Sequence, residues 1–157
     1  MAMNFVIKSI KDMKELRQLR NFIYSQHLNY PDYEHWVDKV CIPEIENGWK
    51  KGIIAYYNGH VVGNAIYQPH KELPRTREFK NLRIHPELRR RDLGHFLLRQ
   101  VEEENKEDFD RIILDANTKE KKIIMFLQYC GYKIIGQECL YDKKNLEVIM
   151  VKEFNNT

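Results

Sequence analysis

The sequence predicts an α+β (α/β) fold built on a mixed, mostly antiparallel sheet, and three observations predict it. Strand-like alternation and helical stripes succeed one another along the chain instead of falling into separate blocks. Asn58-Gly59 between two apolar runs reads as a tight antiparallel hairpin. A strand, an arginine-rich turn, a helix and a further strand then occupy the centre of the chain, which is the order of a parallel crossover.

Each element follows from its local pattern. Phe5 to Ile10 alternates and forms the first strand; Asp12 caps a helix with Met13, Leu16, Leu19, Phe22 and Ile23 on one stripe. A second helix runs from Pro31 to Ile45, with Pro31 near its start, while Pro43 and Gly48 leave its end open. The hairpin pairs Gly52–Tyr57 with His60–Tyr67, and Gln68 to Arg77, holding Pro69 and Pro74, is a loop into the strand Glu78–Ile84. Phe79 is out of phase with Leu82 and Ile84, so this strand either carries a bulge or is covered on both faces. After Pro86, Leu93, Leu97 and Val101 form a helical stripe flanked by Phe96 and Leu98, ending in Glu102-Glu103-Glu104 on a solvated face. Ile112-Ile113-Leu114 reads as a central strand covered on both sides, and Ile123 to Tyr129 as a short helix ended by Gly131. Two last strands, Tyr132–Tyr141 and Leu146–Phe154, flank the polar turn Asp142-Lys143-Lys144-Asn145. No repeat or linker interrupts the chain, so residues 1–157 form one domain.

Charged residues make up 31% of the chain, above the roughly 25% usual for soluble domains, yet the net charge is only +3. That bias is too weak to indicate nucleic acid. A basic face made of Arg89–Arg91 and Lys119–Lys122 would be needed, and Glu102–Glu104 and Asp108 interrupt it. Cys41, Cys130 and Cys139 are odd in number and lack disulfide or zinc spacing, so a reducing, cytoplasmic setting is expected. No apolar run approaches the roughly 20 residues of a membrane span, and no membrane partner is expected. The six histidines have no metal-ligand spacing, and no metal is expected either.

The densest chemistry lies in His85-Pro86-Glu87-Leu88-Arg89-Arg90-Arg91-Asp92-Leu93-Gly94-His95. A turn entering a helix presents unpaired backbone N–H groups and the positive end of the helix dipole, and so favours an anion. Arginines upstream add charge, and a glycine allows close approach. Taken alone, the turn is also read as a solvated charge run with Asp92 as an ordinary N-cap.

The segment Ile84 to Leu98 resembles the acyl-CoA binding motif of the GNAT N-acetyltransferases: an apolar residue, any, Pro, two more, Arg or Gln, two more, Gly, any, Gly or Ala. Ile124-Met125-Phe126-Leu127-Gln128-Tyr129-Cys130-Gly131-Tyr132 looks like that family's later helix, and the element order matches nearly throughout, including Val62-Gly63-Asn64-Ala65 in the hairpin. The resemblance implies six to seven strands flanked by about four helices. It also implies acetyl-CoA as cosubstrate and transfer of an acetyl group to a primary amine of a small molecule, a protein or an aminoacylated RNA. By the same resemblance Leu82, Arg83 and Ile84 lie along the pantetheine arm, and Arg89, Arg90, Arg91, Asp92, Leu93, Gly94 and His95 hold the pyrophosphate. Glu78 matches a position that some relatives use as the base, and a homodimer is allowed for.

Two positions depart from the family pattern. Asp92 stands where the first glycine is usual, and its carboxylate is either offset by the arginines or turned outward while its amide serves. Leu127 stands where many relatives carry a tyrosine that protonates the thiolate. Tyr129 lies about 200° further round the helix and is a poor substitute, and Glu120 stands near a frequent asparagine, with Asn117 three residues earlier. A non-catalytic CoA-binding module is therefore the alternative. Tyr30, Tyr33 and Trp36 either line an acceptor pocket or pack as ordinary aromatics.

Overall fold

The computed structural model describes residues 4–26, 32–89 and 92–154. It holds β1 (Phe5–Ser9), α1 (Met13–Ser25), α2 (Tyr33–Trp36), α3 (Ile42–Glu46), β2 (Lys51–Tyr57), β3 (His60–Pro69), β4 (Thr76–Ile84), α4 (Leu93–Glu103), β5 (Arg111–Asn117), α5 (Lys121–Tyr129), β6 (Lys133–Glu138) and β7 (Glu147–Glu153). The strands pair in the order β1-β2-β3-β4-β5-β7-β6. Of the pairings that surround β5, that with β4 is parallel and that with β7 antiparallel, so the sheet is mixed as expected. The chain divides into two compact units, Met1–Gln68 with Lys80–Glu104, and Pro69–Phe79 with Asn105–Thr157.

In the first unit α1 starts as its sequence dictates, with Asp12 Oδ1 accepting the Glu15 N–H at 2.8 Å. The predicted helix from Pro31 to Ile45 is three pieces: α2, a π turn at Val37–Cys41, and α3. Pro43 has no N–H to give the carbonyl four residues earlier, and the widened turn just before it absorbs the missing bond. Pro31 itself lies outside the described residues. Leu19, Ile23, Val37, Cys41, Ile54 and Ile66 form one core cluster, so α1 and the π turn cover one face of β2 and β3. The hairpin turns at Asn58 (φ 49°) and Gly59 (φ 83°), the left-handed pair that this turn demands. On the opposite face, Leu93 and Leu97 of α4 approach Gly63 so closely that an added Cβ would sit 3.1 Å from Leu97 Cδ1 and 3.2 Å from the Arg83 carbonyl oxygen.

In the second unit β4 begins at Thr76, two residues earlier than predicted, and pairs with β5 from Thr76↔Arg111 to Glu78↔Ile113. Around the out-of-phase Phe79, burial alternates from Arg77 to Asn81 with half-buried residues between, and Leu82, Arg83 and Ile84 are all half-buried. The apolar run in β5 is not covered equally on its two sides. Ile112, Leu114 and Ala116 are buried, whereas Arg111, Ile113, Asp115 and Asn117 are half-exposed. β6 and β7 are shorter than predicted, leaving residues 139–146 as a loop. Gly131 (φ 100°) closes α5: its N–H bonds the Gln128 carbonyl at 3.0 Å, and the Tyr132 N–H bonds that of Leu127 at 2.9 Å. Leu127 and Tyr132, the apolar pair that accompanies such a cap, are 5% and 1% exposed. Counting the stretch from α2 to α3 as one, four helical segments flank seven strands.

Candidate functional site

The described residues of the arginine-rich turn belong to the first unit. β4 ends at Ile84, and the His85 N–H is fastened to the Val62 carbonyl of β3 at 2.8 Å. A single 3-10 turn follows at Pro86–Leu88, where His85 Nδ1 accepts the Glu87 N–H at 3.2 Å. Arg89 is exposed, and its Nε donates to the Ile84 carbonyl at 3.3 Å. Arg90 and Arg91 lie outside the described residues.

Asp92 is the N-cap of α4, but not in the manner the sequence suggested. Its backbone is left-handed (φ 61°, ψ 6°) and its exposed side chain makes no capping hydrogen bond. The first intrahelical bond is the Phe96 N–H to the Asp92 carbonyl at 3.1 Å. The N–H groups of Leu93 and Gly94 precede it and have no acceptor within the helix. A left-handed residue leading into a right-handed turn makes successive amides converge on one point, which is an anion-binding concavity. Leu93 is 5% exposed and anchors the helix in the core, while Gly94 and His95 are half-buried. This donor set is of the kind that suits a diphosphate: backbone N–H groups at a helix mouth that the Asp92 carboxylate does not cap.

Leu82, Arg83 and Ile84 close β4 and are half-buried, with Arg83 Nη1 donating to the Leu82 carbonyl at 2.8 Å. A buried polar pair ties β4 to β3, where Asn64 Nδ2 of β3 donates to Asn81 Oδ1 of β4 at 2.9 Å. Lys50 is 3% exposed and held by Glu44 and by Gln68 Oε1. Tyr33 and Trp36 are half-buried and stack with ring centroids 6.2 Å apart against the core, and the Tyr33 hydroxyl donates to the Ile23 carbonyl at 2.8 Å. Burial pushes the Tyr33 hydroxyl up to about 12 and the Cys41 thiol likewise up to about 12. Tyr30 lies outside the described residues.

In the second unit Glu78 is half-buried on β4, opposite Ile113. Leu127 is buried in the α5 cap, and Tyr129, at 86% exposure, packs against nothing substantial. Asn117 Oδ1 accepts the Lys119 N–H at 2.9 Å and its Nδ2 donates to Asn145 Oδ1 at 3.3 Å, so Asn117 braces the turn into α5.

One group escaped the sequence reading. Glu147, the first residue of β7, is 0% exposed, and neither carboxylate oxygen makes a hydrogen bond of good geometry, the Asn117 side chain opposite being a donor that favours its charged form. Burial raises its carboxyl to about 7, the charge of Asp115 adds to the rise, and Asn117 opposite it works the other way. In sequence it is one charged residue beside Leu146 and Val148, where alternation alone would turn it to solvent. Among the described residues no group of three or more His, Cys, Asp or Glu side chains is arranged to hold a metal, and no helix is long and apolar enough to cross a membrane.

The profile of the acetyltransferase (GNAT) family matches residues 10–132. No curated protein matches the chain in sequence. Among solved structures, the ribosomal-protein-S18-alanine N-acetyltransferase of Escherichia coli is 15% identical with a TM-score of 0.77, over 96% of this chain and 94% of that one. A GNAT-family acetyltransferase of Streptococcus pneumoniae is 16% identical with a TM-score of 0.75, over 96% and 99%. An aminoglycoside 6'-N-acetyltransferase complexed with coenzyme A is 15% identical with a TM-score of 0.72, over 94% and 96%. With the family's profile spanning most of its length and this fold beneath it, the chain belongs to the GNAT family of acetyltransferases.

Proposed function

We propose that the protein transfers an acetyl group from acetyl-CoA to a primary amine, and that the mouth of α4 holds the cosubstrate's pyrophosphate. One observation carries this reading: Asp92 is left-handed and its carboxylate is not bonded to the first-turn amides, so it does not occupy the Leu93 and Gly94 donors. Arg89, Arg90 and Arg91 directly precede them in sequence. Leu82, Arg83 and Ile84 offer the strand end along which the pantetheine arm runs in the family, and Leu93, Gly94 and His95 supply the helix mouth.

Transfer then consists of holding the thioester and the amine together while the carbonyl is polarised. A protonated acceptor must lose a proton before attack, and Glu78 is the base assigned to remove it. The departing thiolate takes its proton from solvent or from the reacting amine, since Leu127 has none to give. The relatives named above act on a ribosomal-protein alanine and on an aminoglycoside, which fits an amine acceptor that is a small molecule, a protein or an aminoacylated RNA. Three free cysteines fit a reducing, cytoplasmic setting.

The buried Leu127 favours a second reading, a CoA-binding module without turnover. Calorimetry with acetyl-CoA tests the binding, and release of free CoA in the presence of an amine panel tests the transfer. Binding with turnover is expected. Binding without turnover on any amine selects the module, and no binding at millimolar acetyl-CoA overturns both.

A further inference from the structure

We infer that His85 is a positioning residue for the cosubstrate: the lone pair on its Nδ1 shapes the turn that carries the chain from β4 to Arg89, so the binding-competent protein holds the imidazole proton on Nε2. The inference rests on the acetyl-CoA reading for its ligand. The turn itself is argued from the first unit alone, to which β3 up to Gln68 and residues 80–89 belong.

The turn has little core to fix its shape, since Pro86 and Glu87 are exposed and Leu88 is half-buried. What fixes it is where its N–H groups go. Pro86 has none to place. The Leu88 N–H bonds the His85 carbonyl at 2.9 Å, and the Arg89 N–H bonds the Pro86 carbonyl at 3.4 Å. Among the described residues the Glu87 N–H has no backbone acceptor, and His85 Nδ1 accepts it at 3.2 Å. The imidazole therefore does what an N-cap side chain does for a longer helix.

His85 is held from both sides. The proline after it keeps it out of the helical region, and its ψ is 132°. Its N–H is fastened to the Val62 carbonyl of β3 at 2.8 Å, and Arg89 Nε reaches back to the Ile84 carbonyl at 3.3 Å. The ring thus links a paired strand end to the first arginine of the run that enters α4. An Nδ1 that accepts carries no proton, so the neutral ring keeps its proton on Nε2. Such an acceptor is also uncharged, whereas a carboxylate there would bring a negative charge into a segment assigned to a diphosphate. Asparagine offers a neutral acceptor at nearly the reach of Nδ1, as in an Asx turn. Glutamine places its amide nearer the reach of Nε2, and phenylalanine keeps a ring without a lone pair.

The test uses the full chain and the variants His85→Asn, His85→Gln and His85→Phe. Long-range 1H–15N spectra at mildly alkaline pH, with the His85 ring assigned by its loss in His85→Asn, are expected to show a bare Nδ1 and a protonated Nε2. Calorimetry is expected to give His85→Asn the acetyl-CoA affinity of the wild type, and His85→Gln and His85→Phe an affinity about threefold to tenfold weaker. Acetyl-pantetheine, which has no pyrophosphate, is expected to bind all four proteins alike. If His85→Phe does not fold, the comparison of Gln with Asn decides. A proton on Nδ1, a Gln variant as tight as wild type, an Asn variant as weak as Gln, or an equal loss with acetyl-pantetheine overturns the inference while wild-type binding of acetyl-CoA leaves the cofactor reading standing. A wild type that binds no acetyl-CoA overturns the cofactor reading, and the role of His85 toward the cosubstrate falls with it.

Discussion

Replacing Asp92 with Asn isolates the charge at the mouth of α4, because both residues tolerate the left-handed backbone seen at φ 61°. The Asp92 side chain is exposed, so a water-like dielectric applies. A pyrophosphate with charges at about 4 Å and about 7 Å from the carboxylate is then repelled by roughly 1.0 plus 0.6 kcal/mol at low salt. Screening at physiological ionic strength cuts the sum to about 0.9 kcal/mol. Asp92→Asn is therefore expected to bind acetyl-CoA roughly 15-fold tighter than wild type at low salt and about fourfold tighter at physiological salt. Acetyl-pantetheine, which has no pyrophosphate, binds both proteins alike. Stability moves the other way, by about 0.3–1 kcal/mol, since a carboxylate at a helix N-terminus is itself stabilising. Calorimetric titrations of both ligands at two salt concentrations read all of this. Equal acetyl-CoA affinities, or a weaker Asn variant, would refute the placement of the diphosphate beside Asp92.

Other outcomes follow from the same structure. Gly63→Ala places a methyl 3.1 Å from Leu97 Cδ1 and 3.2 Å from the Arg83 carbonyl, so it is expected to cost about 1–3 kcal/mol in a denaturant melt and to weaken acetyl-CoA binding by shifting α4; unchanged stability and affinity would contradict this contact. Glu78→Gln is expected to lower turnover by about 10²–10⁴-fold on a protonated amine while the acetyl-CoA affinity stays constant, with the deficit shrinking as the amine deprotonates at high pH. A full-rate variant removes Glu78 from the reaction. For Glu147 the folded carboxyl titrates at about 7 against 4.5 for the ordinary group, so the folded chain binds the extra proton and stability falls as pH rises between those values. Glu147→Gln has no proton to lose and is expected to melt above wild type on the alkaline side of neutrality, with little gain at acid pH. An equal difference at both ends of the range would argue that Glu147 is not a buried titrating group.

Much of the architecture was legible because it is written in short-range signals. Asn58-Gly59 set the hairpin, Asp12 the start of α1 and Gly131 the end of α5, each through a backbone geometry that few residues satisfy. The parallel pairing of β4 with β5 followed from connection rules. The helix mouth at residues 92–95 was legible only through its glycine and arginines, and the conformation of Asp92 was not: nothing local distinguishes a capping aspartate from a left-handed one. The π turn before Pro43 was missed because the proline marks a break without saying how the ladder is repaired. The Glu147–Asp115 face was missed for a deeper reason. It depends on register between strands more than thirty positions apart, and on a loop at residues 139–146 that covers the polar side of the sheet.

Backbone amide NMR during addition of acetyl-CoA tests the central claim most directly, since it reports on the groups said to bind. The N–H signals of Leu93 and Gly94 are predicted to move most, to saturate with the cosubstrate, and to be moved in part by inorganic pyrophosphate alone. Saturating binding of acetyl-CoA that leaves those two amides unmoved would contradict the account, because the diphosphate would then sit somewhere other than the mouth of α4.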